Sequence, residues 1–219
     1  MTETLISVEN LCAERDGRVL FSDLDFSVEA GQVIQVTGAN GAGKTTLLRM
    51  LCGLLPATVG EIYWCGKPFA AQHYEFSREV LFLGHVPGFK AGLSPRENLQ
   101  WYFALRQNIA TSDIDNALAQ VGLRGYEDTV CFQLSAGQQR RVALARLLIS
   151  SARLWVLDEP FTAIDKQGVA ELEAIISDHA NGGGSVILTS HQDLSANAKV
   201  SQINLTTLEN TSASGDSDE

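Results

Sequence analysis

A glycine-rich segment of this chain has the sequence Gly38-Ala39-Asn40-Gly41-Ala42-Gly43-Lys44-Thr45-Thr46. It matches the pattern G-x-x-x-x-G-K-[ST], in which the glycines let backbone N–H groups approach a polyphosphate without a side chain in the way. Lys44 offers a positive charge to the β- and γ-phosphates, and Thr45 offers a hydroxyl to Mg²⁺. A helix that begins here points the positive end of its dipole at the anion. The segment therefore predicts a phosphate-binding loop.

The residues on either side of this loop have the pattern that such a loop requires. The apolar run from Gln32 to Thr37 predicts a buried strand, and the segment from Thr45 to Leu55 predicts a helix with apolar residues at helical spacing. A strand, a loop and a helix in this order favour a functional phosphate site over a chance match. The loop alone also fits a kinase or a GTPase, so later segments must decide the class.

A second apolar run ends in two carboxylates. Leu154-Trp155-Val156-Leu157 predicts an interior parallel strand, and Asp158 and Glu159 follow at its carboxyl end, where such sheets bind ligands. We expect Asp158 to hold Mg²⁺ and Glu159 to polarise or deprotonate the water that attacks the γ-phosphate. An Asp-Glu pair can also simply cap a strand, but the phosphate loop upstream favours the catalytic interpretation.

The start of a later helix predicts a second anion site. Ser135 is placed to cap a helix over Gly137 to Ile149, in the segment Leu134-Ser135-Ala136-Gly137-Gln138. Its hydroxyl, the small residues after it and the exposed first-turn N–H groups can receive a phosphate. One chain would then carry two half-sites.

Together these motifs resemble those of the ATP-binding subunit of an ABC transporter, whose signature sequence begins Leu-Ser and ends Gly-Gln. The resemblance extends from about Leu5 to Leu205. It implies an α/β fold: a P-loop NTPase core with a mostly parallel sheet, an N-terminal antiparallel β portion, and a helical subdomain inserted at about 86–150. A single ATP-binding domain would span residues 1–206.

In that family two cassettes pair head to tail, and the signature of each closes over the ATP bound to the other. The resemblance thus implies ATP and Mg²⁺ as ligands, a second copy of the chain as a partner, and Thr45 and Asp158 as metal ligands. The nucleotide-binding residues that it implies are Gly38, Ala39, Asn40, Gly41, Ala42, Gly43, Lys44, Thr45, Thr46, Ser135, Ala136, Gly137 and Gln138.

Two further segments match the pattern of this family. His191 follows the apolar run from Ser185 to Thr189 and matches the switch histidine, which contacts the γ-phosphate and orients the attacking water. With Glu159 it completes the expected catalytic pair. The segment from Phe161 to Asp165 resembles the loop that touches the opposite subunit across the dimer.

The chain departs from the family pattern at two places. The family has a glutamine after the strand that here is Val80–Leu83, and it helps to bind Mg²⁺ and water; this chain continues Gly84-His85-Val86. The side chain of His85 can substitute, whereas that of Val86 cannot coordinate. The family also stacks an aromatic residue on adenine near position 15, where this chain has Arg15-Asp16-Gly17. An arginine plane can stack on a base as well.

The composition predicts one globular domain without a membrane span. The 219 residues are 45% hydrophobic with 26 acidic and 16 basic side chains, and the mean hydropathy is +0.01. No run approaches the roughly 20 apolar residues of a membrane helix, and no signal-peptide pattern is present, so we expect a cytoplasmic location. A net charge of −10 argues against binding to nucleic acid or anionic lipid.

Other segments refine these expectations. Ser94-Pro95-Arg96-Glu97 is a capping box that opens a helix with the aromatic cluster Trp101-Tyr102-Phe103, and a second helix is predicted from about Ser112 to Val121. The family docks its membrane subunit on this helical insert. The four cysteines form no C-x-x-C pair and no haem-attachment motif, so we see no direct haem site. Residues 207–219 predict a disordered acidic tail.

A closer resemblance is to the ATP-binding subunit of the bacterial cytochrome c maturation transporter. It rests on Gly84-His85, Pro87-Gly88-Phe89-Lys90, Glu97-Asn98-Leu99, the run from Leu134 to Arg146, and the run from Asp158 to Asp165. It implies two copies beneath two integral membrane subunits, peripheral at the cytoplasmic face of the bacterial inner membrane, driving a step in haem export and delivery. Two alternatives stay open: the ATPase of another small-substrate ABC exporter, and a nucleotide-gated module with little turnover.

Overall fold

The computed structural model describes residues 3–86, 88–104, 106, 108–190 and 200–205. Within these residues the chain forms the strands β1 (Thr4–Arg15), β2 (Arg18–Glu29), β3 (Val33–Thr37), β4 (Val59–Trp64), β5 (Lys67–Pro68), β6 (Val80–Leu83), β7 (Leu154–Leu157), β8 (Ser185–Thr189) and β9 (Val200–Asn204). The α-helices are α1 (Lys44–Leu51), α2 (His73–Glu79), α3 (Pro95–Phe103), α4 (Thr111–Gln120), α5 (Ala136–Ile149) and α6 (Lys166–Asn181).

The strands form two sheets of different kinds. The antiparallel sheet has the order β2-β1-β4-β5, and the parallel sheet has the order β6-β7-β8-β3-β9. In the parallel register Leu157 pairs with Leu188, and Val36 pairs with Thr189. The carboxyl ends of β3, β7 and β8 therefore meet at one edge, and β8 lies between the other two. This confirms the expected α/β architecture with an antiparallel β portion at the N-terminal end.

The parallel sheet separates two apolar cores because its side chains alternate between its faces. On β7, Trp155 and Leu157 pack with helices α3 to α6, whereas Leu154 and Val156 pack with α1 and the antiparallel sheet. All four are buried. A strand that is covered on both faces has a continuous apolar sequence, which is why this strand was predicted with its observed bounds. Two packed cores hold the edge that carries the site.

Helix α1 ends four residues before the predicted terminus at Leu55. Gly53, at φ +68, follows the last turn, and its N–H donates to the carbonyl oxygen of Met50 while that of Leu54 donates to Arg49. This pair of hydrogen bonds is a Schellman motif, for which glycine is the favoured residue. Leu54, predicted to continue the apolar face, is instead 58% exposed.

The helices between β6 and β7 follow the sequence patterns closely. Ser94 caps α3 in a complete capping box with Glu97, and Pro95 is the first helical residue, as predicted. Helix α4 spans Thr111–Gln120 and is followed by Gly122 at φ +73. Of the aromatic cluster, Phe103 is buried while Trp101 is 57% exposed. The cluster thus divides between core and surface.

Two predictions concern residues that the structure does not describe. His191 and the segment 207–219 lie outside the described residues. The described residues contain no helix with the length and apolar character needed to cross a membrane. All four cysteines are free thiols, in agreement with their scattered positions.

Candidate functional site

The phosphate-binding loop connects the carboxyl end of β3 to the start of α1. Gly43 caps the helix at φ +94, a left-handed conformation that favours glycine. A Cβ there would lie 3.0 Å from both the Leu20 Cβ and the Phe21 ring. Gly41 is also left-handed, at φ +86, and a Cβ on it would meet no atom within 4 Å. The glycines therefore shape the loop and leave open space in front of it.

The ammonium group of Lys44 folds back over this loop. Its Nζ donates to the carbonyl oxygens of Gly38 at 2.7 Å and Ala39 at 3.1 Å. A positive charge is thus fixed beside the first turn of α1, where the backbone N–H groups already favour an anion. The loop has the charge and the free approach that a polyphosphate needs.

A chain of hydroxyl and carboxylate groups joins the loop to the acidic strand. The hydroxyl of Thr45 lies 3.0 Å from Oδ2 and 3.3 Å from Oδ1 of Asp158, which is 3% exposed. The hydroxyl of Thr189, on β8, donates to Oδ1 of Asp158 at 2.9 Å. These contacts place Asp158 at the point where β3, β7 and β8 end.

Glu159 has an unusual backbone that is held at both of its peptide groups. Its φ is +50, which costs an L-residue with a side chain roughly 1–2 kcal/mol. Its N–H donates to Thr189 Oγ1 at 2.9 Å, and its carbonyl oxygen accepts from Arg140 Nη2 at 2.8 Å. Strain of this kind persists only where the surroundings enforce it, and it is concentrated at functional sites.

The phosphate loop and the two acidic residues line one cavity of about 400 Å³. Its walls are Arg15, Leu20, Asn40, Gly41, Gly43, Lys44, Thr45, Thr46, Asp158 and Glu159. The Arg15 guanidinium at its rim is largely exposed and pairs with Asp16 at 3.4 Å. His85 is exposed and is not among the residues that line this cavity in the described part of the chain.

The predicted second anion site has the expected local geometry. Ser135 caps α5, and its hydroxyl accepts from the Gln138 N–H at 3.2 Å while Gln138 Oε1 accepts from the Ser135 N–H at 2.9 Å. The helix starts at Ala136, one residue earlier than predicted. Asp165 caps α6 through the Gly168 N–H at 2.8 Å and receives Arg141 Nη2 at 3.4 Å.

Two residues of the site were missed by sequence reasoning. Thr189 has a signal, because a polar residue follows three buried apolar residues at the end of β8. The parallel register puts it level with Asp158, one residue beyond the end of β7. Arg140 has none, because a basic residue in a helix whose last turn is also basic predicts a solvated face. The structure instead places its guanidinium inside the protein, 4% exposed.

The sequence of this chain is similar to known proteins over most of its length. The family model for ABC transporters matches residues 21–162. The cytochrome c biogenesis ATP-binding export protein CcmA of Hahella chejuensis is 53% identical over 201 residues, which cover 92% of this chain and 95% of that protein. CcmA of Pseudomonas fluorescens is 51% identical over 195 residues, covering 89% and 92%. The chain belongs to the ABC transporter family, among the CcmA proteins.

Solved structures of ABC proteins share the fold. A dimeric ATP-binding cassette, bound to ADP and Pi after hydrolysis, superposes with a TM-score of 0.80 at 18% identity and covers 92% of this chain and 95% of its own. CbiO1 of Clostridium perfringens, part of an ABC transporter complex, gives 0.75 at 24% identity, covering 93% and 86%. These structures show that the chain has the fold of ABC ATP-binding cassettes.

Proposed function

We propose that this ABC ATPase binds ATP with Mg²⁺ and hydrolyses it to energise an export step in c-type cytochrome biogenesis. The observation that carries the proposal is the contact between Thr45 and Asp158, at 3.0 Å, because it joins the phosphate loop to the acidic strand beside Glu159. The similarity to CcmA proteins, which are ATP-binding export proteins of cytochrome c biogenesis, supports the process and the direction of transport.

The residues divide the chemistry by position. Lys44 and the backbone of residues 38–46 bind the triphosphate of ATP, and the hydroxyl of Thr46 and the guanidinium of Arg15 lie in the same cavity lining. Glu159 accepts a proton from the attacking water, and His191 orients this water, as the family pattern implies. The ends of β3 and β7 hold the phosphate loop and Glu159, so hydrolysis in this proposal depends on positioning and charge more than on covalent chemistry.

The donor set of Thr45 and Asp158 fits Mg²⁺, which prefers hard oxygen ligands. No group of three His, Cys, Asp or Glu side chains in the described residues is arranged to hold a metal. That agrees with a cation held by one or two protein oxygens together with substrate phosphates and water. When bound, it supplies positive charge that neutralises the phosphate oxygens.

A second copy of the chain completes the site in this proposal. The described residues that line the phosphate cavity come from segments around 15–20, 40–46 and 158–159, and residues 134–138 are not among these lining residues. Ser135, Ala136, Gly137 and Gln138 would therefore serve the ATP of the partner. The dimeric form of the solved cassette with ADP and Pi supports this arrangement.

The helical insert is the proposed contact with integral membrane subunits of the cytochrome c maturation transporter. Trp101 is 57% exposed on α3, and Lys90 Nζ lies 4.3 Å from the centre of its ring. The chain would lie at the cytoplasmic face of the bacterial inner membrane and drive a step in haem delivery, with haem bound elsewhere. The subdomain at about 86–150 and the domain over 1–206 are part of the same proposal.

One observation favours a second candidate, a nucleotide-gated module with little turnover. The family glutamine is missing after β6, and the exposed His85 does not line the cavity as the structure describes it. In that case ATP would close the dimer but would be cleaved slowly. Cargo is chosen by membrane subunits, so the ATPase of another small-substrate exporter is a further form of the same activity.

One substitution separates these functions. Glu159→Gln removes the proton acceptor and keeps the size of the side chain, so we expect ATP turnover of the assembled transporter to fall by about 100-fold or more while nucleotide affinity stays within about threefold. Glu171→Gln, on the exposed face of α6, is the control. Unchanged turnover in Glu159→Gln would refute the catalytic role, and wild-type protein that binds ATP without cleaving it would support the gated module.

A further inference from the structure

Arg140 is the buried cation nearest to the proposed chemistry. It lies in the second turn of α5, five residues after Ser135, and is 4% exposed. Its Nη2 donates to the Glu159 carbonyl oxygen at 2.8 Å, and its Nη1 donates to the Gly84 carbonyl oxygen at 3.3 Å. One guanidinium therefore joins α5, which we call the signature helix because it begins at the signature sequence, to the end of β6 and to the acidic strand β7.

Stability alone does not account for a charge at this place. Burial lowers the pKa of Arg140, and the negative charges of Asp158 and Glu159 oppose this shift. Its Nε is buried with no hydrogen-bond partner among the described residues. A buried charge with incomplete partners is often less stable than a well-packed apolar side chain of similar volume. Arg146 shares this burial, so what points to a role in the reaction is the pair of bonds from Arg140 to Gly84 and Glu159.

The bond to Glu159 acts on the strained part of the backbone. Glu159 has φ +50, and its two peptide groups are held from different elements: the N–H by Thr189 on β8 and the carbonyl oxygen by Arg140 on α5. The direction of a side chain follows from the φ and ψ of its own residue. Any rotation or shift of α5 is thus transmitted to the direction of the Glu159 carboxylate.

We propose that Arg140 is a positioning residue, which sets the direction of the Glu159 side chain according to the position of the signature helix. This inference rests on the proposed function, because it assumes that Glu159 accepts the proton. It goes further by making the capture of ATP at Ser135 and the alignment of Glu159 parts of one rigid unit. Closure of the chain's own signature on the partner's ATP would then be coupled to the readiness of the chain's own Glu159 carboxylate.

The test compares two buried arginines of the same helix. Arg146 is also 4% exposed, has a buried Nε without a partner among the described residues, and donates to a carbonyl oxygen, that of Gly88, at 2.7 Å. Its guanidinium stacks on the ring of Tyr102, on α3. Arg146→Gln is therefore a matched control for the loss of a buried charge, and Arg140→Gln and Arg140→Lys are the test variants.

We expect Arg140→Gln to lower kcat of the assembled transporter by about 10-fold to 100-fold, with the ATP dissociation constant changed by less than about threefold. Arg140→Lys, which can keep one of the two bonds, should recover part of this loss. Arg146→Gln should lower the melting temperature by about as much as Arg140→Gln does. Its kcat should stay within about threefold of wild type. If Arg140→Gln does not fold, kcat of Arg140→Lys is compared with that of wild type. A lowered kcat supports the positioning role, and an unchanged kcat overturns it.

A double-mutant cycle separates positioning from structure. If Arg140 acts through Glu159, Arg140→Gln in a Glu159→Gln background should lower the residual turnover no further. Equal kcat losses in Arg140→Gln and Arg146→Gln, or additive losses in the cycle, would overturn the positioning role. Failure of the proposed function is a different result, since it would leave Glu159→Gln alone at wild-type turnover.

Discussion

The hydroxyl of Thr189 donates a hydrogen bond of 2.9 Å to Oδ1 of Asp158. Thr189 Oγ1 also accepts the N–H of Glu159 at 2.9 Å, so one side chain from the central strand β8 holds both acidic residues. It can do both because a hydroxyl carries one donor and two acceptor positions. The strand order β7-β8-β3 makes this possible, since it places β8 between the acidic strand and the phosphate loop.

Thr189→Val should lower ATP turnover with little effect on the overall fold. Valine has the same shape but leaves Asp158 Oδ1 and the Glu159 N–H without this partner, and a lost buried partner costs about 1–3 kcal/mol. We expect a fall in kcat and a higher half-saturating concentration of Mg²⁺, measured by steady-state ATPase titrations. Thr189→Ser keeps the hydroxyl and is the control. Equal activity of the valine and serine variants would contradict the role of this bond.

Ser135→Arg should abolish hydrolysis while nucleotide binding to the isolated chain stays largely intact. The reason is that the signature serves the ATP of the partner in the proposed dimer, and a bulky cation at the cap of α5 prevents closure. Lys44→Ala should instead weaken binding itself, because Lys44 is part of the loop. Nucleotide titration of both isolated variants makes the comparison. Equal loss of affinity in Ser135→Arg would argue against a shared site.

Gly60→Ala should destabilise the fold much more than Gly66→Ala does. Both glycines have positive φ, +91 and +75, so both variants carry the same conformational penalty. A Cβ on Gly60 would lie 2.3 Å from the Asn10 carbonyl oxygen, whereas one on Gly66 would meet no atom within 4 Å. We expect an additional loss of about 1–3 kcal/mol in Gly60→Ala, measured by denaturant unfolding. Similar unfolding midpoints would refute the crowding between β1 and β4.

His179 should make the stability of the fold depend on pH in the mildly acidic range. Its ring stacks on Trp155 with centroids 3.7 Å apart, and burial lowers the pKa of His179 below its ordinary value of 6.5. The unfolded chain therefore binds this proton more readily than the folded chain. The contribution of His179 is complete above pH 6.5 and is lost as the pH falls towards the lowered pKa.

His179→Phe keeps a ring on Trp155 and removes the titrating group. We expect the loss of melting temperature between pH 8 and about pH 5.5 to be smaller in this variant than in wild type. His73→Phe, at an exposed position, is the control and should keep the wild-type pH dependence. An unchanged dependence in His179→Phe would show that another group is responsible.

The sequence predicted those parts of the fold in which local pattern and tertiary packing agree. The strands β6, β7 and β8 have their predicted bounds because each is buried and ends at a polar residue or glycine. Ser94 and Ser135 were predicted as caps because a capping box needs only four residues in a row. The same locality explains the phosphate loop and the acidic pair.

What the sequence did not predict depends on elements that meet only in three dimensions. Arg140 and Glu159 are 19 residues apart along the chain, and Thr189 and Asp158 are 31 apart. No local pattern shows that these pairs are in contact. The end of α1 was missed for a different reason, because Gly53 closes the helix while Leu54 still fits the apolar spacing. A motif can indicate a candidate proton acceptor or a helix cap, whereas it cannot indicate the groups that orient them.

The left-handed backbone of Glu159 opposes the stability of the fold to the proposed catalytic role at a single residue. Glycine adopts this conformation freely, so Glu159→Gly would relieve the strain and spare the fold a cost of roughly 1–2 kcal/mol while removing the carboxylate. If Glu159 is the proton acceptor, as proposed, a substitution that makes the fold more stable at this position therefore removes the catalytic group. Every folded molecule then carries this backbone strain as the cost of keeping the carboxylate.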